Sequence, residues 1–289
     1  MNKLALGTAQ FGLNYGVSNK DGRTKIPDVE KILGFAKNQN IDLIDTAISY
    51  GNSEKIIGKL GISDFRFVTK LPTLPNRHVD IESWLERYVE SSLNHLGIES
   101  LYGLLIHKSE NFLNASGKKL IEVLNRMKQY GLVKKIGVSI YDPSEFEKIF
   151  GLTRIDIIQA PLNIMDRRLI ISGWLSRLHS EEIEIHTRSV FLQGLLLMNR
   201  KNIPNYFFKW SNIFDQWEFE LKKNNLNALD VCLSYPLSIP QVDRVIVGVE
   251  NINQLKEIIN KSNIPKSQLD TSFMISNEEM LINPSNWKI

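Results

Sequence analysis

Eight short apolar, β-branched runs punctuate this 289-residue chain: LALGT (4–8), IDLIDT (41–46), FRFVTK (65–70), LYGLLIH (101–107), KKIGVS (134–139), IDIIQA (155–160), IEIHTR (183–188) and DRVIVG (243–248). Strands buried on both faces of a parallel sheet read as such near-continuous apolar runs. Segments with helical periodicity lie between them, at 27–39, 80–96, 116–130, 143–150, 168–180, 211–224, 227–236 and 251–260. The first of these opens with Pro27 and Asp28 and places Val29, Ile32, Leu33 and Ala36 on one face. Eight strands alternating with helices predict an α/β fold of one kind, the parallel eight-stranded (β/α)8 TIM barrel. An open doubly wound sheet would need fewer strands and a glycine-rich first turn, whereas the first run here ends in Gly7-Thr8-Ala9-Gln10 with no GxGxxG. No linker composition divides the chain, so one domain over 1–289 is expected, with a tail from about residue 263 that carries no motif.

Composition removes several function classes. Lys and Arg total 35 against 32 Asp and Glu, a net charge of +3 without a basic arm, which gives no footprint for nucleic acid. Hydrophobic residues at 43% and charged residues at 23% are those of a globular protein, and no apolar stretch is long enough for a membrane span. After Lys3 the chain meets Gly, Thr and Gln too early for a secretory signal, so a cytoplasmic protein is expected. Its single cysteine, Cys232, excludes a disulfide framework and a cysteine-built zinc site, and is expected to be a buried small hydrophobe.

In such a barrel, chemistry gathers at the C-terminal ends of the strands. The second run ends at Asp45 with Tyr50 in the loop beyond, the third at Lys70 and the fourth at His107. Each alone has an ordinary explanation as a cap, a packed ring, a solvated charge or a structural imidazole. Together at one rim they read as a site for proton transfer to a carbonyl oxygen. A phenol titrating near 10 is a poor acid unless a neighbouring cation stabilises its phenolate. Lys70 could be that cation, with Asp45 holding the lysine and His107 orienting the carbonyl. Nothing in the set transfers hydride, so a cofactor is required.

The chain resembles the aldo/keto reductases from its first strand to about residue 260. The resemblance is carried by LALGTAQFG, DTAISYGNSE, VTKLP, LLIHKSE, GLVKKIGVS, Gln159, RSVFLQGLL and VIVGVENINQLKE. The five-residue step from Asp45 to Tyr50 within DTAxxYGxSE is its most specific element. The resemblance implies a barrel that reduces carbonyls with NAD(P)H and a catalytic set of Asp45, Tyr50, Lys70 and His107. It also implies cofactor contacts from Thr8 and Ala9, from Ser139 and Gln159 at the carboxamide, and from Ser189, Phe191, Gln193 and Gly194 along the pyrophosphate. Gly248, Glu250, Gln254 and Glu257 would meet the adenosine end.

Three positions depart from the family pattern. Ile140 replaces the asparagine that often follows the serine, and Arg188 stands where many members place an aromatic ring under the nicotinamide, so the resemblance counts it among the cofactor contacts. A guanidinium plane can stack there, or Arg188 can pair with an acid. Glu250 follows the eighth run where NADPH-preferring members carry a cation; it could accept a bond from a free ribose 2′-hydroxyl. Arg200, Lys201 and Lys209 are candidate readers of a 2′-phosphate, though they read first as solvated surface charges. On the family's habit NADP(H) is placed slightly ahead of NAD(H), with no metal. The expected partner is a small-molecule carbonyl substrate, with no nucleic acid and no membrane, framed by Phe11, Tyr15, Trp84, Asn163 and Met165; the sequence carries no signal for oligomeric state. The aromatic segment 205–219 reads first as core, otherwise as a lid or subunit contact. LGTAQFGLNYG and RSVFLQG look most like bacterial reductases of sugar or polysaccharide metabolism.

Rival readings are a nucleotide-binding sensor or scaffold barrel with little turnover, and a lyase using Lys70 as a Schiff-base nucleophile. A metal-dependent hydrolase would need more ligands than Asp45 and His107 offer, since His78, His95, His179 and His186 lack ligand spacing.

Overall fold

The computed structural model describes residues 2–62, 64–75, 80–114, 116–262 and 269–289. All eight apolar runs are strands: β1 (Leu4–Gly7), β2 (Leu43–Asp45), β3 (Arg66–Leu71), β4 (Leu101–Ile106), β5 (Val133–Ser139), β6 (Ile157–Pro161), β7 (Glu184–Arg188) and β8 (Arg244–Gly248). They pair in sequence order, every pair parallel, and β8 returns to β1 to close the barrel. The registers align the residues that matter at the C-terminal rim: Gly7 faces Asp45 and Gly248, Ser139 faces Gln159, and Pro161 faces Arg188.

Ala5, Leu43, Val68, Leu105, Ile157 and Ile246 fill the barrel interior, while a larger apolar layer lies between the strands and the surrounding helices. The N-terminal mouth is filled by polar side chains. Tyr102 donates to Glu184 at 2.8 Å, His186 pairs with Glu184 at 2.8 Å, and Arg66 and Lys135 lie over the Tyr102 ring.

The helices depart from the periodicity reading after β2 and after β6, while the two expected between β7 and β8 are both present. A helix over Ser53–Lys59 links β2 to β3; it is too short for a periodic apolar face to show. The segment expected as one helix over 168–180 is two, Arg168–Ile171 and Trp174–Ser180, divided at Gly173 where φ is +78°. A left-handed residue cannot continue a right-handed helix. Between β7 and β8 run two helices, Ser211–Lys223 and Ala228–Leu237, of which only one is needed to return the chain to the next strand.

The aromatic segment resolves as core. Phe207, Trp210, Phe214 and Trp217 form a second apolar cluster with Met274, Leu281 and Ile282 of the tail. Each buried polar handle is satisfied: Trp210 donates to Glu278, Trp217 to the Leu196 carbonyl, Trp287 to the Leu281 carbonyl and Tyr206 to the Met280 carbonyl. Phe208 and Phe219 alone in this segment's ring set remain largely exposed. Cys232 is fully buried and burial pushes its thiol up, so it packs as a small hydrophobe.

Two helical glycines separate close packing from open space. A Cβ on Gly58 would lie 1.9 Å from the His95 carbonyl oxygen, whereas one on Gly34 would meet nothing within 4 Å. Gly58→Ala should therefore lower the unfolding free energy by about 1–3 kcal/mol, and Gly34→Ala should raise it by about 0.5–1 kcal/mol. Urea unfolding of the two variants checks both signs.

Candidate active site

Asp45 and Lys70 meet at the C-terminal rim as a buried ion pair. Lys70 Nζ donates to both Asp45 carboxylate oxygens at 2.8 Å and to the Thr46 carbonyl at 2.9 Å. Gln159 crosses the barrel from β6 to donate to Asp45 Oδ1 at 2.6 Å. The Thr8 amide and hydroxyl donate to the Asp45 backbone carbonyl at 3.0 and 3.1 Å. One polar knot thus joins β2, β3, β6 and the residue that follows β1.

The Tyr50 loop is held from below. The Tyr50 amide donates to the Ala47 carbonyl and the Ser53 amide to the Tyr50 carbonyl, while Ser53 Oγ bonds the Thr8 carbonyl at 3.1 Å. Gly12 lies directly against this loop, since a Cβ there would sit 1.8 Å from the Tyr50 carbonyl oxygen. Glu54, buried, accepts from Thr69 at 2.7 Å and Ser92 at 3.0 Å and pins the Ser53–Lys59 helix to β3 and to the helix over Ile81–Leu96. The sequence signal for Ser53 and Glu54 was there in YGNSE, but not its meaning.

The electrostatics differ from the expected arrangement. Lys70 Nζ lies 5.2 Å from the centre of the Tyr50 ring, but all of its N–H groups are spent on Asp45 and Thr46. It faces the ring and has none left for the hydroxyl. The same burial and pairing leave a Schiff-base lyase without a free amine. Burial pushes the Tyr50 phenol up, the Asp45 charge adds to the rise, and the Arg188 guanidinium pulls it down. Burial pushes Lys70 down, opposed by Asp45. Burial, then Lys70 and Arg188, push His107 down to about 4, which makes it a neutral imidazole able to donate one hydrogen bond.

A cavity of about 330 Å³ opens at Asp45 and Tyr50; Lys70, His107, Ser139 and Gln159 are not part of its lining. Thr8, Ala9, Asp45, Tyr50, Arg188, Ser189, Phe191, Gln193, Gly194, Gly248, Glu250, Gln254 and Glu257 line it, as does Tyr15. Ser139 and Gln159 lie side by side, buried at the ends of β5 and β6, and Gln159 Oε1 has no partner among the described residues. The Glu250 amide donates to Gln254 Oε1 at 2.8 Å and the Gln254 side-chain amide donates back to the Glu250 carboxylate at 3.4 Å, while burial and the nearby Asp21 raise its carboxyl. Ser189, Leu192 and Gln193 all have positive φ, the strained backbone that lets the loop after β7 bend along the cavity.

Among the described residues Arg188 pairs with no acid. Its guanidinium donates to the Ile140 carbonyl at 2.9 Å and Ser189 Oγ at 3.2 Å, and lies 4.3 Å from the centre of the Tyr141 ring. The isoleucine that replaces the family's asparagine still supplies a polar contact, through its backbone.

Of the expected substrate residues only Tyr15 faces this cavity. Phe11 is fully buried in the main core, and Trp84 packs on Tyr88 at 5.0 Å between its helix and the sheet. Asn163 is buried and caps its own turn, with its amide on the Ser189 carbonyl at 2.9 Å. Met165 belongs to the second cluster. An apolar ring or a short amide near a strand end carries no local mark of the face it will take. The suggested phosphate readers also lie elsewhere: Arg200 pairs with Asp215, Lys209 sits over Trp210, and Lys201 is not in the cavity lining. Gln10, Ser18 and Tyr141 join the site unforeseen, the first two lining the cavity from the segment after β1. His95 stands 3.8 Å from Glu54, His179 ends a helix, and His78 lies outside the described residues.

Comparison with known proteins gives a consistent set of relatives. The family described as "Aldo/keto reductase family" matches residues 3–274. An uncharacterized oxidoreductase of Bacillus subtilis, YqkF, is 25% identical, over 91% of this chain and 92% of its own. The NADH-specific methylglyoxal reductase of Escherichia coli is 24% identical, over 83% of this chain and 84% of its own. Among solved structures, the aldo-keto reductase AKR11C1 from Bacillus halodurans in its holo form superposes with a TM-score of 0.73 at 18% identity, covering 92% of this chain and 88% of that one. The glycerol dehydrogenase AKR11B4 of Gluconobacter oxydans follows at 0.69 and 22%, covering 93% and 88%.

The depressed His107 has a direct readout. Its ring signals in an NMR titration should hold the neutral position as pH falls and move only near about 4, not at the ordinary 6.5. The unfolded chain takes up that proton at the higher pH, so stability should fall as pH drops between the two values. His107→Gln should flatten that part of the stability–pH curve. A midpoint near 6.5 in the folded protein would contradict the site's electrostatics.

Proposed function

The chain belongs to the aldo/keto reductase family, and from that premise we propose that it reduces the carbonyl of a small molecule to an alcohol, using hydride from a reduced nicotinamide dinucleotide and a proton from Tyr50. The observation that carries this reading is the placement of Tyr50 and of Asp45, itself closed by the buried Lys70, on the same cavity that runs to Glu250, Gln254 and Glu257. The donor set fits a nicotinamide dinucleotide. Gln159 Oε1 is a buried acceptor in want of an N–H, as a carboxamide would supply, and Ser139 lies beside it. The close approach at Gly248, where a Cβ would stand 2.7 Å from the Gln10 amide, keeps the floor of the cavity narrow.

When bound, the nicotinamide supplies the hydride that no side chain can. Tyr50 donates its proton to the carbonyl oxygen as the carbon is reduced, leaving a phenolate. Arg188 stabilises that phenolate, while burial keeps the phenol protonated beforehand. Neutral His107 donates a hydrogen bond that orients the carbonyl without competing for the proton. Gln159 and Lys70 together hold Asp45 fixed, so the rim does not reorganise during transfer.

Between the two nucleotides we take NADH as preferred. The charged residues in the cavity lining are Asp45, Arg188, Glu250 and Glu257, and Arg188 belongs to the Tyr50 end. On the turn after β8 the groups offered to a ribose are acids and amides, which favour a free 2′-hydroxyl over a phosphate. The Escherichia coli relative is, by its name, NADH-specific.

Two measurements test this reading. Tyr50→Phe should abolish turnover of aldehydes and ketones while NADH still binds, as followed by cofactor fluorescence; a variant that keeps most of its turnover overturns the role of Tyr50. The kcat/KM for NADH should exceed that for NADPH by about tenfold or more, and Glu250→Gln should narrow the ratio. Equal use of the two nucleotides by the natural chain would remove the acid-based selection.

A further inference from the structure

Arg188 is a cation set into the reaction end of the cavity with no carboxylate against it among the described residues. Its guanidinium is held rigidly from behind by the Ile140 carbonyl, the Ser189 hydroxyl and the face of Tyr141. Those contacts use two of its N–H groups, and the residue lines the cavity. Every other charge at this end is accounted for: Asp45 is closed by Lys70 and Gln159, and Lys70 by Asp45 and Thr46. Glu250, on the turn after β8, accepts from the Gln254 side-chain amide at 3.4 Å. The pocket therefore carries one uncompensated, pre-oriented cation within electrostatic reach of Tyr50, Tyr15 and His107.

We propose that Arg188 binds an anionic group of the substrate, so that the carbonyl compound reduced here carries a carboxylate or phosphate a few bonds from its C=O. The inference rests on the carbonyl-reductase reading above and narrows its substrate class. A planar guanidinium fixed at its back presents a fork to planar or tetrahedral oxyanions, and a partly buried site strengthens that pairing over its value in water. Tyr15 completes the cradle. The residue as a whole is 37% exposed, while its hydroxyl lies near Tyr50, Arg188 and Gln193. Burial pushes that phenol up to about 12, so it stays an O–H donor beside the guanidinium. An anion on Arg188 would set the carbonyl beside the Tyr50 hydroxyl by a second, distant point of attachment, which is how binding energy becomes orientation.

The test is a set of paired substrates that differ only in charge: succinic semialdehyde against butanal, and glyceraldehyde 3-phosphate against glyceraldehyde, each with NADH. One charged member should exceed its neutral counterpart in kcat/KM by about tenfold or more, and which of the two does so separates carboxylate from phosphate. Arg188→Gln should bring that ratio close to one, and Arg188→Lys should restore part of it. A natural enzyme that favours both neutral members, or a Gln variant that keeps the ratio, overturns the proposal. So does a Gln variant whose loss lies wholly in NADH affinity, since Arg188 would then serve the cofactor. Calorimetric binding of oxamate, a carboxylate that cannot be reduced, separates this inference from the one it rests on. Oxamate bound by the natural chain and lost in Arg188→Gln supports the anion site even where none of the four carbonyls turns over, a result that would fail the reductase reading alone. No oxamate binding overturns the anion site.

Discussion

The ion pair between Lys70 and Asp45 is the constraint around which the rest of the rim is arranged. Two charges taken out of water are tolerated only when each is paired and its remaining hydrogen-bonding capacity is filled. Here the lysine closes on both carboxylate oxygens and a carbonyl, and the carboxylate closes further on Gln159. Strands from opposite sides of the barrel are thereby tied at the level where the chemistry would occur. The pairing also limits what the lysine can do. Its proton donors are all engaged, so it acts on the Tyr50 ring as a charge and not on the hydroxyl as a donor.

That limit gives weight to Arg188. With the lysine engaged, the guanidinium is the cation that draws the Tyr50 phenol down against burial and Asp45. It can do so because its own partners are a carbonyl, a hydroxyl and an aromatic face, none of which cancels its charge. The cavity is consequently polar in a graded way, with a cation at the Tyr50 end and acids on the turn after β8. This grading is the basis of the proposed preference for NADH and of the proposed anionic substrate.

Much of the remaining structure serves to hold loops where barrel strands release them. Ser53 and Glu54 lock the Tyr50 loop to Thr8, Thr69 and Ser92. The loop after β7 bends through three non-glycine residues of positive φ and is backed by the aromatic cluster that the tail completes. Strain of that kind persists only when the packing behind it over-determines the backbone. The cluster of Phe207, Trp210 and Phe214 with Leu281 and Ile282 supplies that packing.

The sequence by itself determined the barrel and the four rim residues. Strand runs are local patterns of apolar, β-branched residues, and the residue that ends a parallel strand faces the functional rim by topology alone. Asp45, Tyr50, Lys70 and His107 could therefore be read in order. The short helix over Ser53–Lys59 and the break at Gly173 escaped, the first because seven residues hold too little periodicity, the second because a glycine's φ is chosen by its neighbours. Only the tertiary structure decided which partner each charge takes and which face each ring turns. Trp84 and Phe11 turn inward to the core, Lys70 spends its donors on Asp45 and Thr46, and Arg188 rests on a backbone carbonyl from β5's end instead of on an acid. Those choices depend on distances between segments remote in sequence. Burial makes the distances count, because a charge out of water must find a partner wherever the fold has placed one.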